Sequence, residues 1–428
     1  MEQLWNRLAR CALACAAVVL AVAPAWAQKV TLDVLYAQPG FAKYHEPIAQ
    51  AFMQTHPDVE IRFRAPAKDY DEGHQAMMRA AITNQLPDVY FPGFDLMGEL
   101  IDTLEKRGQV VDVGPMLAAE PAAWREENYS DAMIRLGQVH GRQYGLAVNA
   151  SLPIMYFNAD LVKKAGGDPA HMPDTWDGVI ALAGRIAATS PGTSGMAFDI
   201  HVYPGNWLFQ SILDQAGASM LDESGTRIGF DNAAGRKVMA NLRRFVTEGR
   251  MTLLDLEASR QQFLAGQTGL FFDTPARTRL ITSGVGTRFT LGTAVFPIDD
   301  KAKGGIPTGG CAIVMTTKDP ARQKAAWEYA KYLTGPDAQR IIVETTGYLP
   351  LNKRASGPQF LGPFYAKNPN FRTVSLQADR AVPWQGYRGD AVRIWRMQRD
   401  IITKVMRGDV TPDAGLDELA RETRAMLK

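Results

Sequence analysis

An aromatic ring and an arginine share one glycine-flanked segment late in the chain, Pro383-Trp384-Gln385-Gly386-Tyr387-Arg388-Gly389. The planar guanidinium of Arg388 can hold a phosphate, carboxylate or sulfonate through two parallel hydrogen bonds. A glycine-rich backbone adds amide donors nearby. The segment therefore favours an anion contact, and the alternatives are a surface charge or an ion pair with Asp379 or Asp390.

Aromatic residues beside glycine or proline recur in other loop-like segments. Ring faces can cover the carbon-bound hydrogens of a sugar-like molecule, while polar groups around them take its hydroxyls. For any single ring, packing in the core is the alternative. The candidate cleft walls are Tyr36, Tyr70, Tyr203, Trp207, Tyr348 and Trp384.

Residue patterns typical of hydrolysis are missing from the sequence. The six histidines form no His-x-x-x-His pair, and no Gly-x-Ser-x-Gly segment occurs. The run from Gly304 to Gly310 lacks the Gly-Lys-Ser/Thr ending of a phosphate loop. Sequence alone leaves open a pair of carboxylates for glycoside cleavage. We therefore expect no catalytic residue, no metal and no cofactor, with an exported carbohydrate-active hydrolase as the alternative.

Alternating strands and helices must position these residues. The sequence predicts strands at Val30–Tyr36, Val59–Phe63 and Val89–Phe91, with helices between them, the second from Glu72 to Thr83. Strand-helix-strand units imply a parallel sheet covered by helices, and ligands bind at the carboxyl ends of such strands. The segments at those ends are 36–40, 68–70 and 91–95.

A second region of strands and helices follows Tyr144. Two extended pieces separated by a polar kink at 149–151 predict a crossing between two lobes. Thr175 is expected to cap a helix that ends at Ala188, and Asp231 to cap another that ends at Glu248. Three further helices are predicted at about 319–334, 387–407 and 411–427.

The amino terminus has the pattern of an export signal. Arg7 and Arg10 precede a short apolar run, and Ala25-Trp26-Ala27 offers a cleavage site after residue 27. The exported part would contain Cys311 as its single cysteine, which excludes an internal disulfide. A net charge of +2 for 428 residues argues against a nucleic-acid partner.

Several motifs occur together in an order that resembles one family. The chain is similar to the solute-binding proteins of carbohydrate-type ABC importers (family 1), and most closely to their glycerol-3-phosphate-binding branch. The motifs are Phe52–Val59, Ser151–Asn158, Lys163–Gly166, Pro173–Trp176, Gly309-Gly310, Thr346–Pro350 and Phe364–Pro369.

The resemblance implies an α/β fold of two lobes, the type II periplasmic-binding-protein fold, which closes on a ligand in the cleft without chemical change. It implies a first lobe of residues 28–147 plus about 286–344, and a second of 148–285 plus about 345–428. The implied protein is a periplasmic monomer that delivers its ligand to a membrane permease. A peptide-holding scaffold is a further alternative.

The binding positions of the branch fall on six residues of this chain. They are Tyr70, Ser151, Thr274, Gly310, Tyr348 and Arg388. The resemblance implies that Arg388 holds a phosphate with help from Ser151 and the Gly310 amide, with Gly309 beside them.

Two carboxylates depart from the pattern of the branch. The branch has a glutamate where this chain reads Phe91-Pro92-Gly93-Phe94-Asp95, so Asp95 is the candidate substitute. Asp273, beside Thr274, is a new carboxylate expected to take hydroxyls or an amine. The ligand could therefore be glycerol phosphate, a glycerophosphodiester, or a sugar or sulfonated sugar.

Overall fold

A computed structural model describes residues 29–198, 200, 206–222, 224–389 and 391–427. The predicted export signal and its cleavage site, Tyr203 and Asp390 lie outside the described residues. The strands are β1 Val30–Leu35, β2 Val59–Phe63, β3 Val89–Tyr90, β4 Gln138–Val139, β5 Arg142–Gln143, β6 Gly145–Ser151, β7 Ile154–Asn158, β8 Ser194–Phe198, β9 Thr268–Asp273, β10 Leu291–Ala294, β11 Ile306–Met315 and β12 Ala381–Pro383.

Helices cover both sheets. The α-helices are α1 Ala42–Thr55, α2 Tyr70–Thr83, α3 Phe94–Glu105, α4 Gly114–Ala119, α5 Ala122–Asn128, α6 Asp131–Arg135, α7 Ala159–Lys164, α8 Trp176–Thr189, α9 Trp207–Asp214, α10 Ala233–Thr247, α11 Leu256–Leu264, α12 Thr278–Val285, α13 Pro320–Leu333, α14 Pro336–Thr345, α15 Gly362–Lys367, α16 Ala391–Arg407 and α17 Pro412–Met426. Short 3-10 helices occupy Pro39–Phe41, Pro275–Arg277 and Pro369–Arg380.

The first lobe is built on a six-stranded sheet. Its strand order is β12-β11-β3-β1-β2, and β6 also pairs with β11. β1 runs parallel to both β2 and β3, as the strand-helix-strand pattern predicted. Along α1, Tyr44, Ile48 and Phe52 recur at helical spacing and are fully buried against this sheet, which explains why the segment folds as an amphipathic helix.

The second lobe is built on a four-stranded sheet of order β10-β7-β9-β8. β8 and β9 are parallel, while β7 is antiparallel to both of its neighbours. Its core centres on Trp176, whose ring lies 5.0 Å from the rings of Phe245 and Phe272 and is fully buried. The predicted cap at Thr175 is present, since its hydroxyl accepts a hydrogen bond from the Gly178 amide.

Two antiparallel strands, β6 and β11, connect the lobes. β6 leads directly into β7. β11 has β3 and β6 on opposite sides, since Val314 pairs with a residue of each strand, and β12 pairs only with the first three residues of β11, next to the end of β6 that leads into the second lobe. The predicted kink at 149–151 is wrong: β6 continues through Ser151, and the break falls at Leu152-Pro153, where proline cannot donate to the ladder.

Other boundaries differ from prediction in informative ways. Asn232, and not Asp231, caps α10, because the Asn232 side chain accepts from the Gly235 amide. β10 pairs with β7 in the small sheet, although it falls within the 286–344 range that the sequence analysis placed in the first lobe. Among the described residues, no helix is long and apolar enough to cross a membrane.

Candidate functional site

A small cavity of about 40 Å³ lies between the two lobes. Residues from the first lobe, the second lobe and the crossing strands all line it, so one small molecule placed there would contact every part of the fold. The lining residues are Gln38, Tyr70, Ser151, Trp207, Thr274, Ala276, Arg277, Gly309, Gly310, Tyr348 and Trp384.

Two tryptophans form one wall of the cavity. The ring centres of Trp207 and Trp384 are 6.2 Å apart and the planes are inclined by 53°. The Trp207 indole donates to the Pro307 carbonyl at 2.9 Å and packs flat on Gly309, where an added Cβ would lie 2.9 Å from the ring. Glycine is therefore required there by the close approach of the ring.

The loop that carries Trp384 is fixed to the second lobe. The Gln385 carbonyl accepts from the Gln210 side chain of α9 at 2.8 Å, and the Gln385 side chain exchanges two hydrogen bonds with the Leu221 backbone. Trp384 itself is buried, and its indole N–H has no hydrogen-bond partner. The wall is thus rigid and presents an unused donor.

Two hydroxyls meet where β6 ends beside the end of β9. Ser151 Oγ and Thr274 Oγ1 are 2.7 Å apart, and both side chains are buried. Behind them the Tyr156 hydroxyl donates to the Thr274 carbonyl at 2.9 Å, which fixes the position of that turn. Each hydroxyl carries two acceptor lone pairs and one proton, so the pair can donate to or accept from a ligand.

The floor of the cavity is a glycine pair in β11. Gly310 has a φ of 125°, and an added Cβ would lie 2.3 Å from the Asn149 carbonyl oxygen. The Asn149 side chain on β6 also accepts a hydrogen bond from the Cys311 amide at 3.2 Å. Only glycine fits this contact between the two crossing strands.

Two tyrosines lie beside each other on the cavity surface, and both are buried. Tyr70 is the first residue of α2, positioned by the Asp69 cap, whose carboxylate accepts the Glu72 amide at 2.8 Å. Burial raises the pKa of both the Tyr70 and the Tyr348 phenol. The Tyr70 hydroxyl lies near Cys311 and Tyr348, but neither meets the geometry of a hydrogen bond, so this donor is also unused.

Three lining residues were not among the predicted binding residues: Gln38, Ala276 and Arg277. Gln38 does lie in the predicted strand-end segment 36–40. Ala276 and Arg277 belong to the 3-10 turn that directly follows β9, and Gln38 follows the carboxyl end of β1. The rule that ligands bind beyond the carboxyl ends of strands indicated the segment of Gln38, and the same rule applied to β9 would have found Ala276 and Arg277. Arg277 Nη2 donates to Gln38 Oε1 at 3.3 Å across the cleft.

Of the twelve predicted binding residues that the structure describes, eight line this cavity and four do not. Tyr36 packs on His45 in the first-lobe core, with ring centres 4.2 Å apart. Arg388 is exposed and does not line the cavity. Tyr203 lies outside the described residues.

The two predicted carboxylates also lie outside the cavity. Asp273 is fully buried and faces Arg260, with Oδ2 3.2 Å from Nη2, while its Oδ1 accepts the Thr274 amide at 2.6 Å. Asp95 is buried at the start of α3, and burial raises its pKa well above the ordinary value. Among the described residues, no Asp or Glu lines the cavity and no group of three metal-ligating side chains occurs.

Periplasmic binding proteins are similar to this chain in sequence. The sn-glycerol-3-phosphate-binding periplasmic protein UgpB of Agrobacterium fabrum is 23% identical over 304 residues, 67% of this chain and 68% of that protein. Its counterpart in Escherichia coli K12 is 25% identical over 299 residues, 65% of this chain and 66% of that protein. The matched segments span about two thirds of these relatives.

Solved structures share the whole fold. UgpB from Mycobacterium tuberculosis in complex with glycerophosphocholine has a TM-score of 0.80 at 18% identity, covering 93% of this chain and 98% of that one. The cyclic alpha-maltosyl-1,6-maltose binding protein from Arthrobacter globiformis has a TM-score of 0.76 at 21% identity, covering 94% and 99%.

The two lobes and the cavity between them therefore define a periplasmic-binding-protein fold. Residues 37–340 match the sequence model described as bacterial extracellular solute-binding protein. The chain belongs to that family, and it is a solute-binding receptor of the kind that serves ABC importers.

Proposed function

We propose that this receptor captures a small polar solute in the interlobe cavity and passes it unchanged to a membrane permease. The solute is a glycerol phosphate, a glycerophosphodiester, or a sugar or sugar derivative. The observation that carries the proposal is the Trp384 indole N–H, which lines the cavity, is buried and has no partner. A buried donor without a partner costs about 1–3 kcal/mol, and a ligand oxygen would recover that cost.

Several other groups in the lining support a polar solute. The Trp207 and Trp384 rings offer an apolar face for carbon-bound hydrogens. Hydrogen bonds are available elsewhere in the lining from the hydroxyls of Ser151 and Thr274 and from the phenol of Tyr70. Such a combination of a few convergent polar groups and aromatic walls is typical of small-molecule sites.

Closure provides the mechanism. A ligand shifts a conformational equilibrium only through contacts that differ between the two states. Tyr70 and Gln38 belong to the first lobe, while Trp207, Trp384 and Arg277 belong to the second. A solute that touches both groups stabilises the closed form, which the permease would then recognise.

The relatives support the location and the ligand class. The curated relatives are named as periplasmic and as binding sn-glycerol-3-phosphate, and the solved structures hold glycerophosphocholine or sugars. We extend the periplasmic location to this chain on that basis. Cleavage after Ala27 is proposed from the sequence pattern of the amino terminus, and a monomeric state from the family resemblance. The absence of acidic residues around the described cavity argues against the alternative hydrolase, which needs a carboxylate beside its substrate.

A thermal-shift screen followed by calorimetry tests the proposal. Glycerol-3-phosphate, glycerophosphocholine and maltose represent the three ligand classes, and a ligand at 100 times its Kd stabilises the fold by about 2.7 kcal/mol. The products are then analysed by mass spectrometry. A chemically altered ligand, or the failure of all three classes to raise the melting temperature, would contradict the proposal.

Trp384→Phe sharpens the test, because it keeps a ring and removes the N–H group. We expect affinity to fall about fivefold, the equivalent of one hydrogen bond of about 1 kcal/mol, while the ligand-free protein is no less stable. Trp124→Phe is the matched control, because Trp124 lies on α5 outside the cavity lining, and we expect this variant to keep wild-type affinity. Equal affinities for Trp384→Phe and the wild type would remove this N–H from the site.

A further inference from the structure

We propose that Arg277 recognises an anionic group on the ligand, and that its contact with Gln38 couples this recognition to lobe closure. The inference rests on the proposed function and specifies which residue determines the ligand class. The chemistry recognised is a small oxyanion such as a phosphate ester, either a monoester or a diester.

Arg277 is the cavity's cationic side chain within the described part of the protein. It is half-buried, its guanidinium lies 5.8 Å from the Phe41 ring centre, and its side chain donates a hydrogen bond to the neutral amide of Gln38. At 3.3 Å that bond is long for a guanidinium donor. The five donors of the guanidinium are therefore largely unused by the protein.

A neighbouring arginine shows the contrast. Arg260 is buried, and its guanidinium forms ion pairs with Asp273, at 3.2 Å, and with Glu257, at 2.6 Å. The carboxylate closest in sequence to Arg277 is thus already neutralised by Arg260. Among the described residues, no carboxylate forms an ion pair with Arg277, so its positive charge faces the cavity uncompensated.

The groups around Arg277 also suit an oxyanion. The Tyr70 hydroxyl and the Trp384 N–H are buried donors without partners, and the Ser151 and Thr274 hydroxyls can donate as well. The lining therefore combines several hydrogen-bond donors with the positive charge of Arg277 and contains no carboxylate. Such a site disfavours a ligand that carries only hydrogen-bond donors. It favours one that presents acceptors and negative charge.

The backbone at Gln38 is held in an unusual conformation. Its φ is 66° and ψ 95°, a region that costs a residue with a side chain on the order of 1–3 kcal/mol. The conformation is held by hydrogen bonds from Gln38 N to the Ala67 carbonyl at 2.8 Å and from Phe41 N to the Gln38 carbonyl at 2.9 Å. This geometry places the Gln38 amide on Arg277, so the guanidinium contacts the opposite lobe when the cleft is closed.

Calorimetry with three probes tests the assignment: glycerol-3-phosphate, glycerophosphocholine and maltose. We expect Arg277→Ala to lower the affinity for the two phosphorylated probes by about 10–100-fold, because a hydrogen bond to a charged group is lost. Arg277→Lys should recover part of that loss, because it keeps the charge but not the planar fork. Arg62→Ala is the charge-matched control, since Arg62 is exposed on β2 and lies outside the cavity lining.

Arg388→Ala separates this inference from the expectation based on the family pattern. Unchanged binding in Arg388→Ala with a loss in Arg277→Ala supports the assignment. A loss in Arg388→Ala with wild-type affinity in Arg277→Ala overturns it, while the proposed receptor function stands. Binding of maltose alone, unaffected by Arg277→Ala, also overturns it, and failure of all three probes removes the proposed function itself.

Gln38→Glu tests the coupling between lobes. A carboxylate at this position would pair with Arg277 and compete with the ligand's anionic group. We expect the ligand-free protein to melt at a higher temperature and the phosphorylated probes to bind at least about tenfold more weakly. Unchanged melting together with unchanged affinity would refute the coupling.

Discussion

Gly386 lies where the second lobe touches the first, and its replacement by alanine separates closure from binding chemistry. An added Cβ would lie 1.7 Å from the carbonyl oxygen of Asp95, at the start of α3. Carbon and oxygen atoms normally approach no closer than about 3.3 Å. The loop must therefore retreat from α3 by roughly 1.5 Å, and the neighbouring Gln385 is held in place by α9 and Leu221.

The clash acts on the closed form because the contact joins the two lobes. Overpacking of this kind costs about 1–3 kcal/mol. Raising the free energy of the closed form by that amount weakens ligand binding by about 5–150-fold. The open form carries no such clash, so the free energy of unfolding of the ligand-free protein should change little.

Calorimetry and small-angle scattering measure both effects. We expect Gly386→Ala to bind more weakly and to keep the larger radius of gyration of the open form at ligand concentrations that close the wild type. Gly98→Ala is the control, because Gly98 lies in the same helix α3 with open space around it, and alanine should stabilise that helix by about 0.5–1 kcal/mol. Wild-type affinity in Gly386→Ala would refute the reasoning.

Two predictions concern buried charges in the second lobe. Arg260→Met should destabilise the protein by about 3–5 kcal/mol in urea unfolding, because it leaves Asp273 buried without its cation, and a loss below about 1 kcal/mol would count against that ion pair. Burial raises the pKa of Asp214 from 3.8 to about 8, so the folded state holds its proton more tightly and stability should fall as pH rises through that interval. Asp214→Asn should flatten this pH dependence of unfolding, and an unchanged slope would contradict it.

Local patterns were sufficient to predict most of the elements. β2 spans Val59–Phe63 as the alternation indicated, because side chains on one face of that strand must be buried. The cap of α10 shifted by one residue, from Asp231 to Asn232, since both side chains can cap and the backbone geometry selects between them.

Site residues that lie at strand ends could be predicted from the sequence. The ion-pair partner of a buried charged residue could not. Ser151 and Thr274 follow from position and resemblance, and the structure brings them to one cavity. That Asp273 is neutralised depends on α11 packing beside β9, which places Arg260 against it across thirteen residues of sequence. Arg277 lies four residues beyond Asp273, forms no ion pair among the described residues and lines the cavity, and no local sequence pattern distinguishes it from Arg260.

The glycines of β11 serve the cavity and the crossing at the same time. Gly309 and Gly310 form the cavity floor, and the strand that contains them pairs with β6 with a register shift just beyond, between Cys311 and Ala312. A side chain added at this floor to suit a smaller ligand would also clash with the Asn149 carbonyl oxygen or the Trp207 ring, and so would disturb the strands that connect the lobes. Over evolution, the ligand specificity of this receptor and the opening of its cleft must therefore change together.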